Sequence, residues 1–209
     1  MNIASRSVKL PENLNIDPND KSAPRNLIAR TAETLRGLAD QLEAGELFDP
    51  IEWIIPMAHI GTESMQAHCN EIEDRLGKKH LAVYAVCFDD AVPLERIHKV
   101  VDDNKAKNKA LPVQERRAFA RVNKRKGCLD SRCLYVGKSE KVAERLRQHL
   151  IEAHPATYAI HLKHWPNDIP GNLVVKVIGV AGVASMMLPF IEDQMAKEMP
   201  PILGKRGSV

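Results

Sequence analysis

The sequence predicts an α/β (α+β) fold: a small, mainly antiparallel central sheet of about three strands flanked by helices, with an N-terminal helical extension. Three observations carry this. Several segments repeat apolar residues at helical spacing. Three others, 80–88, 133–137 and 172–180, are runs of β-forming residues without that period. The two kinds alternate along the chain. The 209 residues, 44% hydrophobic and 27% charged, can bury a core without a disulfide or metal staple.

Each element follows in order. Residues 1–24 are polar, contain Pro11, Pro18 and Pro24, and predict an extended arm. Residues 25–77 predict an N-terminal helical region. Leu27, Ile28, Thr31, Leu35, Leu38 and Leu42 form one helical stripe, and Gly45 is placed to end it. A second helix is expected from near Met57 to Leu76, on Met57, Ile60, Met65, Cys69, Ile72 and Leu76, with Gly77 following. These two helices predict a packed pair or a helical wrapper on the sheet.

The main domain is expected over 78–209. Its first strand is HLAVYAVCF at 80–88. A basic insertion at about 91–130 follows, mostly helical by composition, with Pro93 and Pro112 as breakers. CLYVG at 133–137 is the second strand. Ser139 is a natural N-cap for a helix of about 140–153, with Val142, Leu146 and Leu150 inward and Arg145 and His149 four apart. Residues 158–162 suggest a short strand. NLVVKVIGV at 172–180 is the clearest strand of all. A last helix is expected over 188–199, with Pro189 tolerated in its first turn and Pro200-Pro201 stopping it.

Charge is unevenly spread. The net charge is +3, yet residues 99–126 hold ten Lys or Arg against three acids, so the rest of the chain is slightly acidic. Such a segment is the footprint of a polyanion contact, and it is also compatible with a solvated lysine-rich helix. Aromatics at 4% argue against a broad base-stacking platform. No run of 18 apolar residues occurs, so no transmembrane helix or membrane partner is expected. Four cysteines and no secretory signal predict reduced thiols and a cytoplasmic location. Cys128 and Cys133, with Cys87 or a histidine, are compatible with zinc, but a second clean pair is missing.

The candidate chemistry centres on Tyr135-Val-Gly-Lys138-Ser. Arg145 lies eight residues beyond Gly137 and His149 twelve. A strand, a glycine turn and a helix bring Lys138 and Arg145 together, which suits a phosphate. A solvated helix face is the other reading of the same charges. No Walker-type phosphate loop occurs.

AVY at 82–84 followed by YVG at 135–137 resembles the paired motifs of the GIY-YIG nucleases. Arg145, His149 and Glu192 continue the resemblance at near-family spacing, over about half the chain. Ala82 stands where the first glycine is usual. The motif tyrosines are 51 residues apart, with the basic segment filling the gap, and Gly204 stands near the place of the family's asparagine. The resemblance implies a divalent-metal-dependent endonuclease that hydrolyses DNA phosphodiester bonds, of restriction or defence type. It assigns Glu192 to Mg²⁺ or Mn²⁺, Arg145 to the phosphate charge, Tyr84 to the general base with Lys138 or Arg145 as the cationic neighbour that lowers its pKa, His149 to orienting Tyr84 or relaying its proton, and Tyr135 to the phosphate pocket. Arg116, Arg117, Arg121, Lys124, Arg125 and Lys126 are the expected nucleic-acid contacts. The alternatives are an inactive nucleic-acid-binding or accessory protein, and a repair nuclease within a larger complex. The helices at 26–76 are the surface nominated for a homodimer or protein partner.

Overall fold

The computed structural model describes residues 23–165 and 169–204, so the expected arm lies, but for its last two residues, outside the described part. The chain divides into two compact units, 1–40 and 41–209. The described part of the first is helix α1 (Ala23–Glu43), which runs three residues past the division.

The second unit is α+β, built on a five-stranded sheet rather than one of about three strands. Its strands are β1 (Glu46–Leu47), β2 (Ile51–Pro56), β3 (Ala82–Phe88), β4 (Cys133–Ser139) and β5 (Asn172–Ala181). All pairings between these strands are antiparallel. β5 is central, with β1 and β2 along one edge and β3 along the other, and β4 lies beyond β3. β2 is the main departure from expectation. Ile51, Trp53 and Ile55 point inward and Glu52, Ile54 and Pro56 outward, the period of two of a half-buried strand. The helix expected from Met57 therefore starts later, as α2 (Glu63–Leu76). Both β2 and α2 belong to the same unit as the sheet.

The sheet has two covered faces. On one, Tyr84, Val86, Val175, Val177, Ile51 and Ile55 join the main core. α2 buries Met65, Cys69 and Ile72 there, and α4 (Val142–Leu150) buries Val142, Leu146 and Leu150. Each such side chain contributes about 1.5–3 kcal/mol relative to exposure. An ion pair, Arg147 Nη2 to Glu73 Oε2 at 2.6 Å, clips α4 to α2, and Trp53 Nε1 donates to Glu71 Oε2 at 3.1 Å. On the other face, α5 (Leu188–Glu198) lays Leu188, Ile191 and Met195 on Val83 and Val180, and Ala196 and Met199 on Ala85, Cys133 and Val136.

Three local expectations are corrected. Helix α3 spans only Leu94–Ala110. Beyond Pro112 the basic insertion is extended, with 3₁₀ turns at Val113–Glu115 and Arg125–Gly127. Its backbone bonds go to distant chain: Ala120 N donates to Ala159 O, and Asn123 N to Ile202 O, both at 2.9 Å. Ser139 ends β4 instead of capping α4; its Oγ accepts from Lys141 N at 2.9 Å and shapes the turn before the helix. Residues 158–162 form one isolated bridge, Phe119 to Ala159, and not a strand, because His161 takes a left-handed conformation at φ 50° and leads into a 3₁₀ turn. No helix among the described residues is long and apolar enough to cross a membrane.

Candidate active site

The cross-strand register of β3 and β4 builds the floor of the site. Tyr84 lies opposite Gly137, and Val86 opposite Tyr135, so both tyrosines share the main-core face. A bulge between Val86 and Cys87 puts Leu134 and Tyr135 together on that face, with Cys133 and Val136 on the other. Gly137 is required where it stands: a Cβ there would lie 2.5 Å from Tyr84 Oη and 2.7 Å from Tyr135 Cε1. The missing side chain is the space that the Tyr84 hydroxyl occupies. Gly204 closes the far side, at φ 105°, where a Cβ would lie 3.1 Å from Tyr135 Cε2.

α4 completes the cluster. The Tyr84 and Tyr135 rings stack with centroids 6.1 Å apart, and the His149 ring sits 4.7 Å from Tyr135. Tyr84 Oη and His149 Nε2 are 2.9 Å apart. His149 Nδ1 accepts from the Ile160 backbone N–H at 3.2 Å. A backbone amide can only donate, so Nδ1 carries no proton and neutral His149 holds its hydrogen on Nε2. His149 therefore donates to the Tyr84 oxygen. Burial, then Arg145 and His161, hold its pKa well below the ordinary histidine range, so it stays neutral. Of the two roles expected for His149, this geometry fits orientation of Tyr84. A ring nitrogen that already bears a proton does not accept another from the phenol.

Arg145 lies beside both phenols. Its Nη1 donates to Gln148 Oε1 at 2.8 Å and its Nη2 to the Tyr158 carbonyl at 2.6 Å. Burial opposes the guanidinium charge, but Tyr84 and Tyr135 outweigh it and raise the Arg145 pKa. The tyrosines themselves are pushed up, Tyr84 well above its ordinary value. Burial is the largest cause for both, with Arg145 pulling down and Glu192 pushing up. Glu192 is thus in electrostatic reach of both hydroxyls. Its Oε2 lies 2.6 Å from Lys138 Nζ, in an ion pair on the α5 side of β4, so the expected meeting of Lys138 with Arg145 is not formed: the strand's alternation turns Lys138 to the opposite face of the sheet from α4.

An open cavity of about 420 Å³ adjoins the cluster, lined by Lys79, Ser139, Lys141, Arg145 and Gln148 together with Glu140 and Glu144. The other sequence-nominated cations are dispersed. Arg121, Lys124 and Lys126 are exposed. Arg116 Nε donates to the Leu111 carbonyl, Arg125 pairs with Asp102, and Arg117 is half-buried. Arg121 is nearest the cluster by its backbone: its N–H donates to Tyr158 Oη at 2.9 Å, and its carbonyl accepts from Gly204 N at 2.8 Å. Sequence reasoning missed Gln148 and Tyr158. Gln148 carries a signal, three residues after Arg145 on one helix. Tyr158 carries none, because its carbonyl does the work.

The donor set bears on the metal. Among the described residues no group of three His, Cys, Asp or Glu is placed to hold an ion. Cys128 Sγ contacts the Lys124 carbonyl, while Cys133 faces the opposite side of the sheet. These residues do not fit zinc. The carboxylate nominated for the ion, Glu192, is part-buried, and its Oε2 is held by Lys138 Nζ at 2.6 Å. No protein-family model, no curated protein and no solved structure matches this chain.

Proposed function

We propose that this protein is a GIY-YIG-type endonuclease that hydrolyses DNA phosphodiester bonds with Mg²⁺ or Mn²⁺, acting in restriction or defence. One observation carries the reading. Tyr84, Tyr135, Arg145 and His149, scattered over 66 positions of sequence, meet in a single stacked and hydrogen-bonded cluster beside an open cavity. A core assembled for packing alone has no need of an arginine wedged against two phenols.

In this reading Arg145 neutralises non-bridging phosphate oxygens as charge builds, held at a fixed angle by Gln148 and the Tyr158 carbonyl. His149 Nε2–H donates to Tyr84 Oη, which stabilises the phenolate and fixes the oxygen's lone pair. To act as base Tyr84 must first lose its own proton to solvent, since His149 does not accept it; as phenolate it would take the proton of the attacking water, with Arg145 offsetting the burial that opposes its charge. The ion, when bound to Glu192, supplies Lewis-acid stabilisation of the departing oxygen. Lys138 must release Glu192 for this and is then free to meet a phosphate. Arg121, Lys124 and Lys126 supply backbone contacts to the duplex.

The Lys138–Glu192 ion pair favours a second reading, a nucleic-acid-binding protein that has lost cutting, since it occupies the one carboxylate a metal requires. Incubating the purified protein with supercoiled plasmid, with Mg²⁺, with Mn²⁺ and with chelator, separates the two. Metal-dependent nicks or breaks support the nuclease. Plasmid retained intact but retarded on a gel supports the binder. Sedimentation of the same protein with and without residues 1–40 tests the homodimer reading of the N-terminal helices.

A further inference from the structure

A second, smaller cavity of about 130 Å³ lies between the end of α3 and the 161–165 turn, apart from the tyrosine cluster. Its charged and polar lining is Asn104, Lys107, Asn108, Arg117, His161 and His164, against a wall that includes the stacked rings of Phe119 and Trp165. Among the described residues no carboxylate lines it. Among the described residues three buried side-chain nitrogens lack any hydrogen-bond partner, and two of the three, Arg117 Nε and His161 Nδ1, belong to this lining. Buried unpaired polar atoms are rare in native proteins, and two gathered at one cavity call for a missing ligand.

The remaining bonds of these two residues define what that ligand is. Asn108 holds the Arg117 backbone from both sides, Nδ2 to the carbonyl and Oδ1 from the N–H, each at 2.9 Å, so Arg117 is anchored at the cavity. His161 is 3% exposed, and its Nε2 lies 3.0 Å from the Thr157 carbonyl. A carbonyl only accepts, so Nε2 bears a proton, and Nδ1 becomes a second donor once the ring is charged. An oxyanion is the ligand that both nitrogens can serve together, as N–H donors from Arg117 and from the His161 imidazolium. The volume equals roughly four water molecules at about 30 Å³ each, room for one tetrahedral oxyanion and well short of a whole nucleotide site of about 300 Å³ or more.

We propose that this cavity is a phosphate-class oxyanion site, with Arg117 and His161 as its ligands and Lys107 and His164 as its outer charges. The phosphate comes either from a polynucleotide backbone or from a small phosphorylated molecule. The first source would extend the nuclease reading; the site itself stands without it. Residue 161 is joined directly to Ile160, whose N–H holds His149, so the cavity is one peptide unit from the catalytic cluster.

Binding is linked to pH. The charged and titratable groups around His161 are Arg117 from the extended segment, Lys107 from α3, His149 from α4 and His164 from its own turn; Lys163 and Glu152, paired at 3.0 Å, act on His164. Burial and the neighbouring cations disfavour the His161 imidazolium, while the Thr157 and Ala118 carbonyls favour it. An added anion shifts this balance toward the charged ring, so affinity weakens as pH rises through the histidine range.

The test follows histidine side-chain ¹H–¹⁵N resonances of the full chain during titration with inorganic phosphate, then with a short DNA duplex. Phosphate is expected to move His161 toward the imidazolium and raise its apparent pKa by about one unit. Arg117→Gln should weaken phosphate binding about tenfold or more. His161→Asn, which tolerates the left-handed backbone, should remove most of the pH dependence and leave only the part due to His164. Competition by the duplex for the same shift assigns the site to backbone phosphate, and its absence assigns it to a small molecule. A His161 resonance that responds to neither ligand overturns the proposal, even if one of the variants fails to fold. Because cleavage is not the readout, failure of the nuclease reading leaves this result intact.

Discussion

The two faces of the β3–β4 ribbon solve opposite problems. On the main-core face Tyr84, Tyr135 and His149 are dry, ring-stacked and neutral, and one backbone amide dictates the tautomer. On the α5 face Lys138 and Glu192 are part-exposed, at 35% and 22%, and hold each other as ions. The dry face sets a fixed geometry, since Tyr84 Oη and both His149 ring nitrogens have protein partners. The wetter face keeps charges that can exchange partners, because water compensates each ion while the pair opens. The proposed endonuclease would use both, a rigid frame for the phosphate and an exchangeable carboxylate for an ion.

The largest effect is expected on the wetter face. Glu192→Gln should abolish cleavage while leaving thermal unfolding and DNA binding nearly unchanged, because a part-exposed ion pair adds little to stability, about 0–1 kcal/mol. Cleavage within a few-fold of wild type would remove Glu192 from the site. Next comes the arginine of α4, on the dry face itself. Arg145→Ala should slow single-turnover cleavage by two or more orders of magnitude, roughly 3 kcal/mol, as when a preorganised donor is lost. An unchanged rate constant would leave Arg145 a packing residue.

Gly137→Ala probes the dry face directly. The added methyl meets two buried phenol rings that cannot swing aside, and overpacking of this kind costs about 1–3 kcal/mol. Gly179→Ala is the control, because its Cβ would meet the mobile end of Leu76 at 3.0 Å and rings nearer the surface. Denaturant melts should rank the first variant clearly below the second, and equal midpoints would contradict the tight fit. The smallest effect is on pH. His149 folds with its pKa depressed, so the unfolded chain binds the proton that the folded one excludes, and stability falls as pH drops below the ordinary value of 6.5. In His149→Gln that acid loss should be shallower in melts from pH 7 to pH 5. A curve parallel to wild type would mean that His149 is protonated in the fold.

Much of this was legible along the chain. Strands β3, β4 and β5 announced themselves as β-forming runs, and α5 by its apolar spacing and the prolines that bound it. Five site positions stood out by motif and spacing. β2 carried a signal too, inward Ile51, Trp53 and Ile55, but with Ile54 and Pro56 outward it lacked the polar alternation that marks a half-buried strand. The extended course of residues 111–124 was not legible, because composition reports helix propensity while the bonds that hold this segment run to 155–159 and 201–204.

Sequence by itself determined which residues were available: the tyrosines, arginine, histidine and glutamate, and the glycine whose missing side chain makes room for a phenol. Local spacing was enough for this, since period two and period 3.6 are written residue by residue. Only the tertiary structure decided their states. The β3–β4 register put Tyr135 on the face of Tyr84, Ile160 chose the His149 tautomer, burial kept Tyr84 protonated, and α5 handed Glu192 to Lys138. Each of these depends on a partner between 11 and 65 residues away or on exclusion of water, and neither is written in the chain near the residue it governs.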